Sequence, residues 1–86
     1  MVLQKREGLK TWEVEGEAVV YDPSTGMGHI LNPTALRIWM LCDGKNTRVD
    51  IEKTLTGEYP DRSEVIPNDV GVAVKTLTEL GLAESV

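Results

Sequence analysis

Leu31-Asn32-Pro33-Thr34-Ala35-Leu36-Arg37-Ile38-Trp39-Met40-Leu41-Cys42-Asp43-Gly44 is the stretch on which the fold turns. It reads as the end of a strand, a sharp corner and a short capped helix. Asn32 is an N-cap residue whose side chain can accept the orphan amides of a first helical turn. Pro33 suits the first helical position, where a missing N–H costs nothing. Ala35, Ile38, Trp39 and Cys42 then recur at i, i+3, i+4 and i+7, an apolar stripe facing a core. The helix is expected to end near Cys42, with Gly44 supplying the left-handed residue after its last turn.

Upstream of this corner the period changes from helical to two. Thr11 to Glu15 alternates, with Trp12 and Val14 on one face. Ala18-Val19-Val20-Tyr21 is rich in strand-forming residues. Met27 to Leu31 places Met27, His29 and Leu31 on one face and Gly28 and Ile30 on the other. Gly16 and Asp22-Pro23-Ser24-Thr25-Gly26 are the turns between them. The expectation is a three-stranded antiparallel meander.

Downstream, Thr47 with Asp50 three residues on reads as a capping box opening a second helix. Ile51, Leu55 and Tyr59 form its expected buried stripe, and Pro60 ends it. A third helix is expected from about Pro67, with Val70, Ala73, Val74 and Leu77 inward; Gly81 stops it and Leu82 folds back. The architecture expected is therefore α+β: a three-stranded antiparallel sheet followed by three helices, as in a winged helix-turn-helix. Residues 1–9 show no periodicity and read as a flexible N-terminus, leaving 10–86 as the domain.

Composition narrows the function classes. Eighty-six residues with 41% hydrophobic content support one modest core. Fourteen acidic against nine basic residues give a net charge of −5, the wrong sign for a phosphate-neutralising surface. No apolar run of membrane-spanning length and no signal-peptide pattern is present. A single cysteine suits a reducing compartment, so the cytoplasm is the expected location. Cys42 lies on an apolar helical stripe and reads as a structural thiol. One histidine and one cysteine do not make a zinc set, and no phosphate loop occurs. Neither a catalytic constellation nor a metal or cofactor site is expected.

The open places are edges. If the meander runs in sequence order, Met27-Gly28-His29-Ile30-Leu31 is an edge strand with unpaired backbone groups, able to accept an extended peptide. On the third helix Val70, Val74 and Leu77 centre on one direction. Asp69, Val72, Thr76 and Leu80 lie on the flank and Ala73 on the border, so Val72 and Leu80 are apolar residues outside the core arc.

Leu31-Asn32 before the helix, Asp43-Gly44 after it, then Asp69-Val70, Leu77 and Leu80-Gly81-Leu82 resemble, in that order, the PqqD-like family. These are peptide-recognition domains of ribosomal peptide natural-product biosynthesis. The resemblance spans residues 18–83. It implies a winged helix-turn-helix fold, no catalysis, and binding of a precursor's leader peptide as an added antiparallel strand. Carried onto this sequence, the strand contact is Met27, Gly28, His29, Ile30 and Leu31. The groove wall is Asp69, Val72, Ala73, Thr76 and Leu80. The implied partners are a precursor peptide and a separate maturation enzyme, with a lasso-peptide leader protease favoured over a radical-SAM enzyme of redox-cofactor (PQQ-type) biosynthesis. Two rival readings are a winged-helix DNA-binding regulator, disfavoured by the neutral mixture Arg48, Asp50, Glu52 and Lys53, and a scaffolding subunit that dimerises through an exposed edge.

Overall fold

A computed structural model describes residues 1–86. The elements run β1 (Leu3–Lys5), β2 (Lys10–Val14), β3 (Glu17–Asp22), β4 (Met27–Leu31), α1 (Pro33–Met40), β5 (Asp43–Asn46), α2 (Arg48–Glu58), a 3₁₀ turn (Pro60–Arg62), α3 (Ile66–Glu79) and β6 (Ala83–Ser85). The class is α+β, with two three-stranded antiparallel sheets ordered β2-β3-β4 and β5-β1-β6. Three helices behind a β-hairpin are compatible with the winged-helix arrangement. The second sheet was not expected. No helix is long and apolar enough to cross a membrane.

The meander forms as its alternation dictates. Trp12 pairs with Val19 and Val19 with Ile30; Glu13 pairs with Ala18 and Ala18 with Leu31. Ala18, Val20 and Leu31 are buried while Trp12, Val19 and Ile30 are exposed, so one face packs on the core and the other meets solvent. Glu15 and Gly16, both at positive φ, make the β2–β3 turn. Asp22 closes the next turn, its Oδ1 accepting the Ser24 amide at 2.9 Å.

The corner after β4 follows the sequence. Asn32 Oδ1 accepts the Ala35 amide at 2.8 Å, with Pro33 at the first helical position. Ile38, Trp39 and Cys42 are buried, as is Leu36, which lies off the expected stripe. The helix stops at Met40, and Gly44 does not cap it. Gly44 lies at φ +81° inside β5, beside the Gln4 side chain. Asp43 Oδ1 accepts the Lys45 amide at 2.9 Å and bends the chain there.

Two further departures have simple causes. Tyr59 is exposed rather than buried, because α2 ends at Glu58 and Tyr59 leaves the helical path at φ −132°, ψ 69°. Residues 1–9, expected to be a flexible lead-in, include β1, the central strand of the second sheet, with Leu3 in the core. A three-residue strand is too short to show a period, so only its partners reveal it. At the other end Gly81 and Leu82 close α3 in a Schellman motif. Gly81 N–H donates to Thr78 O at 3.2 Å and Leu82 N–H to Leu77 O at 2.9 Å. The buried Trp39 indole donates to Leu82 O at 2.9 Å, tying α1 to this cap.

Candidate functional site

β4 is hydrogen-bonded on one side only, to β3. Its free side opens towards α3, and where the strand ends a groove of about 580 Å³ begins. Leu31 and Leu77 lie buried at its base, and Ile30 rises exposed at its lip. The start of α1 contributes Asn32, Thr34 and Ala35; α3 contributes Asn68, Asp69, Val72, Ala73, Thr76 and Leu77, and its C-cap Leu80.

The groove gathers Ile30, Leu31, Asp69, Val72, Ala73, Thr76 and Leu80 from the residues singled out in sequence. Met27, Gly28 and His29 lie further along the same free edge, outside the groove lining. Sequence reasoning missed Asn32, Thr34, Ala35, Asn68 and Leu77. For α3 the missed signal was a simple one. Asn68, Val72, Thr76 and Leu80 form one i+4 row, and Asp69, Ala73 and Leu77 form the row beside it. A wall built from two such rows includes Asn68 and reaches Leu77 at the base. Ala35 and Leu77 read in sequence as core-stripe residues, Asn32 as the cap, and Thr34 carries no signal of its own; all four line the groove.

The wall is apolar with a polar rim. Val72 is 58% exposed and Leu80 40%, apolar surface left in water beside the buried Ile66, Val70 and Leu77 of the same helix. Asp69, at the rim, lies 3.6 Å from Arg62 Nη2. Beyond Asp69 and Thr34 a smaller pocket of about 180 Å³ continues between Pro33, Arg37, Leu55, Tyr59, Arg62 and Ile66. Arg37 donates there to both Glu58 oxygens, its Nε to Oε1 at 3.0 Å. That fork holds the Glu58 carboxyl below its ordinary value and raises the guanidinium.

The single thiol does not line the groove. The Cys42 thiol is buried, donates to Ile38 O at 3.4 Å, and is pushed up to about 11 by burial. A thiol held protonated and sealed is chemically inert at neutral pH. His29 sits mid-strand and makes no hydrogen bond to it. No cluster of three or more His, Cys, Asp and Glu side chains is placed to hold a metal ion.

A small α+β domain with a free strand edge beside an apolar helical wall belongs to the class that can take up an extended polypeptide. Residues 17–83 match the family described as coenzyme PQQ synthesis protein D (PqqD), and the chain belongs to that family. Two solved structures share its fold. One is TbiB1 in complex with the TbiA(beta) leader peptide, 19% identical, with a TM-score of 0.80 over 96% of this chain and 96% of that one. The other is lasso peptide synthetase B1 complexed with the leader peptide, 24% identical, with a TM-score of 0.81 over 99% of this chain and 100% of that one. No curated protein matches the chain by sequence.

Proposed function

We propose that this chain binds the leader region of a ribosomally made precursor peptide as an antiparallel strand on β4, with side chains seated against α3. It then presents the precursor to a separate processing enzyme, a lasso-peptide leader protease being the favoured one. The chain itself acts by binding alone, in the cytoplasm, and needs no cofactor. The observation that carries this reading is the convergence of the end of the free edge, Ile30 and Leu31, with exposed Val72 and Leu80 and half-buried Ala73 in one groove. The two fold neighbours, both in complex with a leader peptide, support it.

The energetics assign the roles. Each added backbone hydrogen bond contributes about 0.5–1.5 kcal/mol net, and association costs about 4–15 kcal/mol. Strand pairing alone therefore does not hold a guest. Buried apolar anchors at roughly 1.5–3 kcal/mol each must decide affinity, and only they distinguish one extended peptide from another.

The family description names coenzyme PQQ synthesis, and the second setting is accordingly a peptide chaperone for a radical-SAM enzyme of redox-cofactor biosynthesis. It uses the same groove and differs only in the enzyme served. DNA binding has less support. Arg48 of α2 is 3.4 Å from Glu52 and folds over Gly71 of α3, where its Nη2 is 2.6 Å from the place a Cβ would occupy. The guanidinium thus lies against α3 while the side chain stays 56% exposed, and the net charge of −5 remains the wrong sign for phosphate.

The test is an NMR titration with a synthetic leader peptide of a ribosomally made precursor. Amide shifts are expected at 27–31 and 68–80. Val72→Glu, at an exposed position, is expected to weaken binding about tenfold or more, a loss of about 1.4 kcal/mol, with unchanged thermal unfolding. Shifts confined to other surfaces, or undiminished binding by that variant, would overturn the placement. A processing assay with the leader protease then separates delivery from mere capture.

A further inference from the structure

The β2-β3-β4 sheet has two free edges, and leader binding uses one. The other is β2, Lys10–Val14, exposed at all five residues. It pairs with β3 in unbroken register, Lys10 with Tyr21 through to Val14 with Glu17, so no bulge turns it aside. It contains no proline, and its only charges are Lys10 and Glu13. An edge this flat and little protected is a template for another strand.

We propose that β2 is a self-complementary edge, through which two copies of this chain pair antiparallel about Trp12. In that register Lys10 faces Val14 of the second copy, Thr11 faces Glu13, and Trp12 faces Trp12. No two like charges stand directly opposite, and the arrangement closes on itself by a two-fold axis.

Both faces of the edge favour a second copy over an arbitrary strand. On the solvent face Trp12, Val19 and Ile30 lie in one cross-strand row, all exposed. Pairing about Trp12 joins two such rows end to end and covers the two indoles with each other. On the other face a cleft of about 360 Å³ lies between β2 and α1, holding Lys5 and Arg6. Lys5 sits 4.7 Å from the Trp39 ring, and neither cation forms an ion pair within the chain. Glu13 lines the same face, so Glu13 of the second copy, opposite Thr11, comes to the mouth of this cleft. The chain's own Glu13 lines the cleft without pairing with either cation, and the register that pairs the tryptophans brings a second carboxylate to it.

Two effects oppose the pairing: each copy carries −5, and the two Glu13 residues are diagonal neighbours. Salt screens both, and it also screens the attraction of Glu13 to the cleft cations; the −5 on each copy is the larger charge, so association strengthens as ionic strength rises. Five paired residues also make a small contact beside the roughly 1,200–2,000 Å² of stable complexes. The dimer is a weak one, and both β4 edges remain free at its ends.

The test is sedimentation equilibrium of the full chain from about 10 µM to about 1 mM, at low and high salt, with amide hydrogen exchange at both ends of that range. The mass is expected to rise from 9.5 kDa towards twice that value, more so at high salt. Protection is expected to grow at 10–14 and not at 27–31. Trp12→Lys and Val14→Lys, both at exposed positions, each bring like charges face to face and are expected to weaken association about tenfold. Circular dichroism shows that the variants fold. A monomer throughout, variants that associate like the wild type, or protection growing at 27–31 instead would overturn the proposal. Only the last of these outcomes touches the β4 edge; the others leave leader binding as it stands.

Discussion

Glu15 is the only non-glycine residue at positive φ, +53°, and Gly16 follows at +83°. Two consecutive left-handed residues between paired strands make the two-residue hairpin loop that matches strand twist. The glycine was legible as a turn, but nothing about a glutamate announces that conformation. A residue with a Cβ there costs about 1–2 kcal/mol, less for asparagine. Glu15→Asn is expected to stabilise the fold by about 0.5–1 kcal/mol, which raises Tm by several degrees in a domain of this size; an unchanged melt would show the turn to be unstrained. Cys42 carries a second expectation. Its thiol shifts from an ordinary 9.0 up to about 11, mainly through burial. The folded state thus holds a proton that the unfolded chain releases between those values. The stability this contributes is fully present below pH 9 and is lost as pH rises towards 11, by at most roughly 2–3 kcal/mol. Urea unfolding at pH 7 and pH 10.5 measures it, and Cys42→Ala is expected to flatten the difference.

Among the elements, α2 shows how far local rules reach. Its start was legible because a capping box is a pattern of two side chains. Thr47 Oγ1 accepts the Asp50 amide at 3.1 Å and Asp50 Oδ2 accepts the Thr47 amide at 2.8 Å. The second bond is the main reason the Asp50 carboxyl titrates below its ordinary 3.8. Its stabilisation is therefore present above that value and fades as pH falls through the lowered one. Thr47→Ala is expected to cost about 1 kcal/mol. Gly57 lies near the other end with nothing within 4 Å of the position of a Cβ. Gly57→Ala is expected to return about 0.5–1 kcal/mol through helix propensity alone. Chemical denaturation of both variants checks the pair, and a destabilised Gly57→Ala would mean the glycine has a role beyond the helix. The helix end was less legible, since the exit that turns Tyr59 outward depends on the following 3₁₀ turn. The α3 wall lay between these cases: its rows at i+4 were there to be read, but which row faced β4 depended on how α3 packs.

At the scale of the whole molecule the decisive contact is between chain ends, and it was invisible in sequence. β1, β5 and β6 are three or four residues each, too short for a period of two to declare itself. β1 lies between the other two, so its order depends on the middle and the C-terminus arriving beside it. Val2 and Val86 exchange both backbone hydrogen bonds, at 3.0 and 2.9 Å, while Lys5 N–H reaches Cys42 O and Arg6 N–H reaches Leu82 O. Leu82 O also accepts the Trp39 indole, so the N-terminal strand supports the cap that fixes the end of α3, where Leu80 lines the groove. Four bonds at about 1 kcal/mol each and the burial of Leu3 at roughly 1.5–3 kcal/mol approach the roughly 4–13 kcal/mol expected for a domain of this length. Removal of residues 1–6 is therefore expected to unfold the chain or leave it barely folded at 25 °C, seen as lost cooperativity in thermal and urea transitions. Val72→Glu, by contrast, is expected to leave those transitions intact and impair binding alone. If residues 7–86 melt within a few degrees of the full chain, the second sheet lies outside the cooperative unit, and the groove is held by α1, α3 and the meander without it.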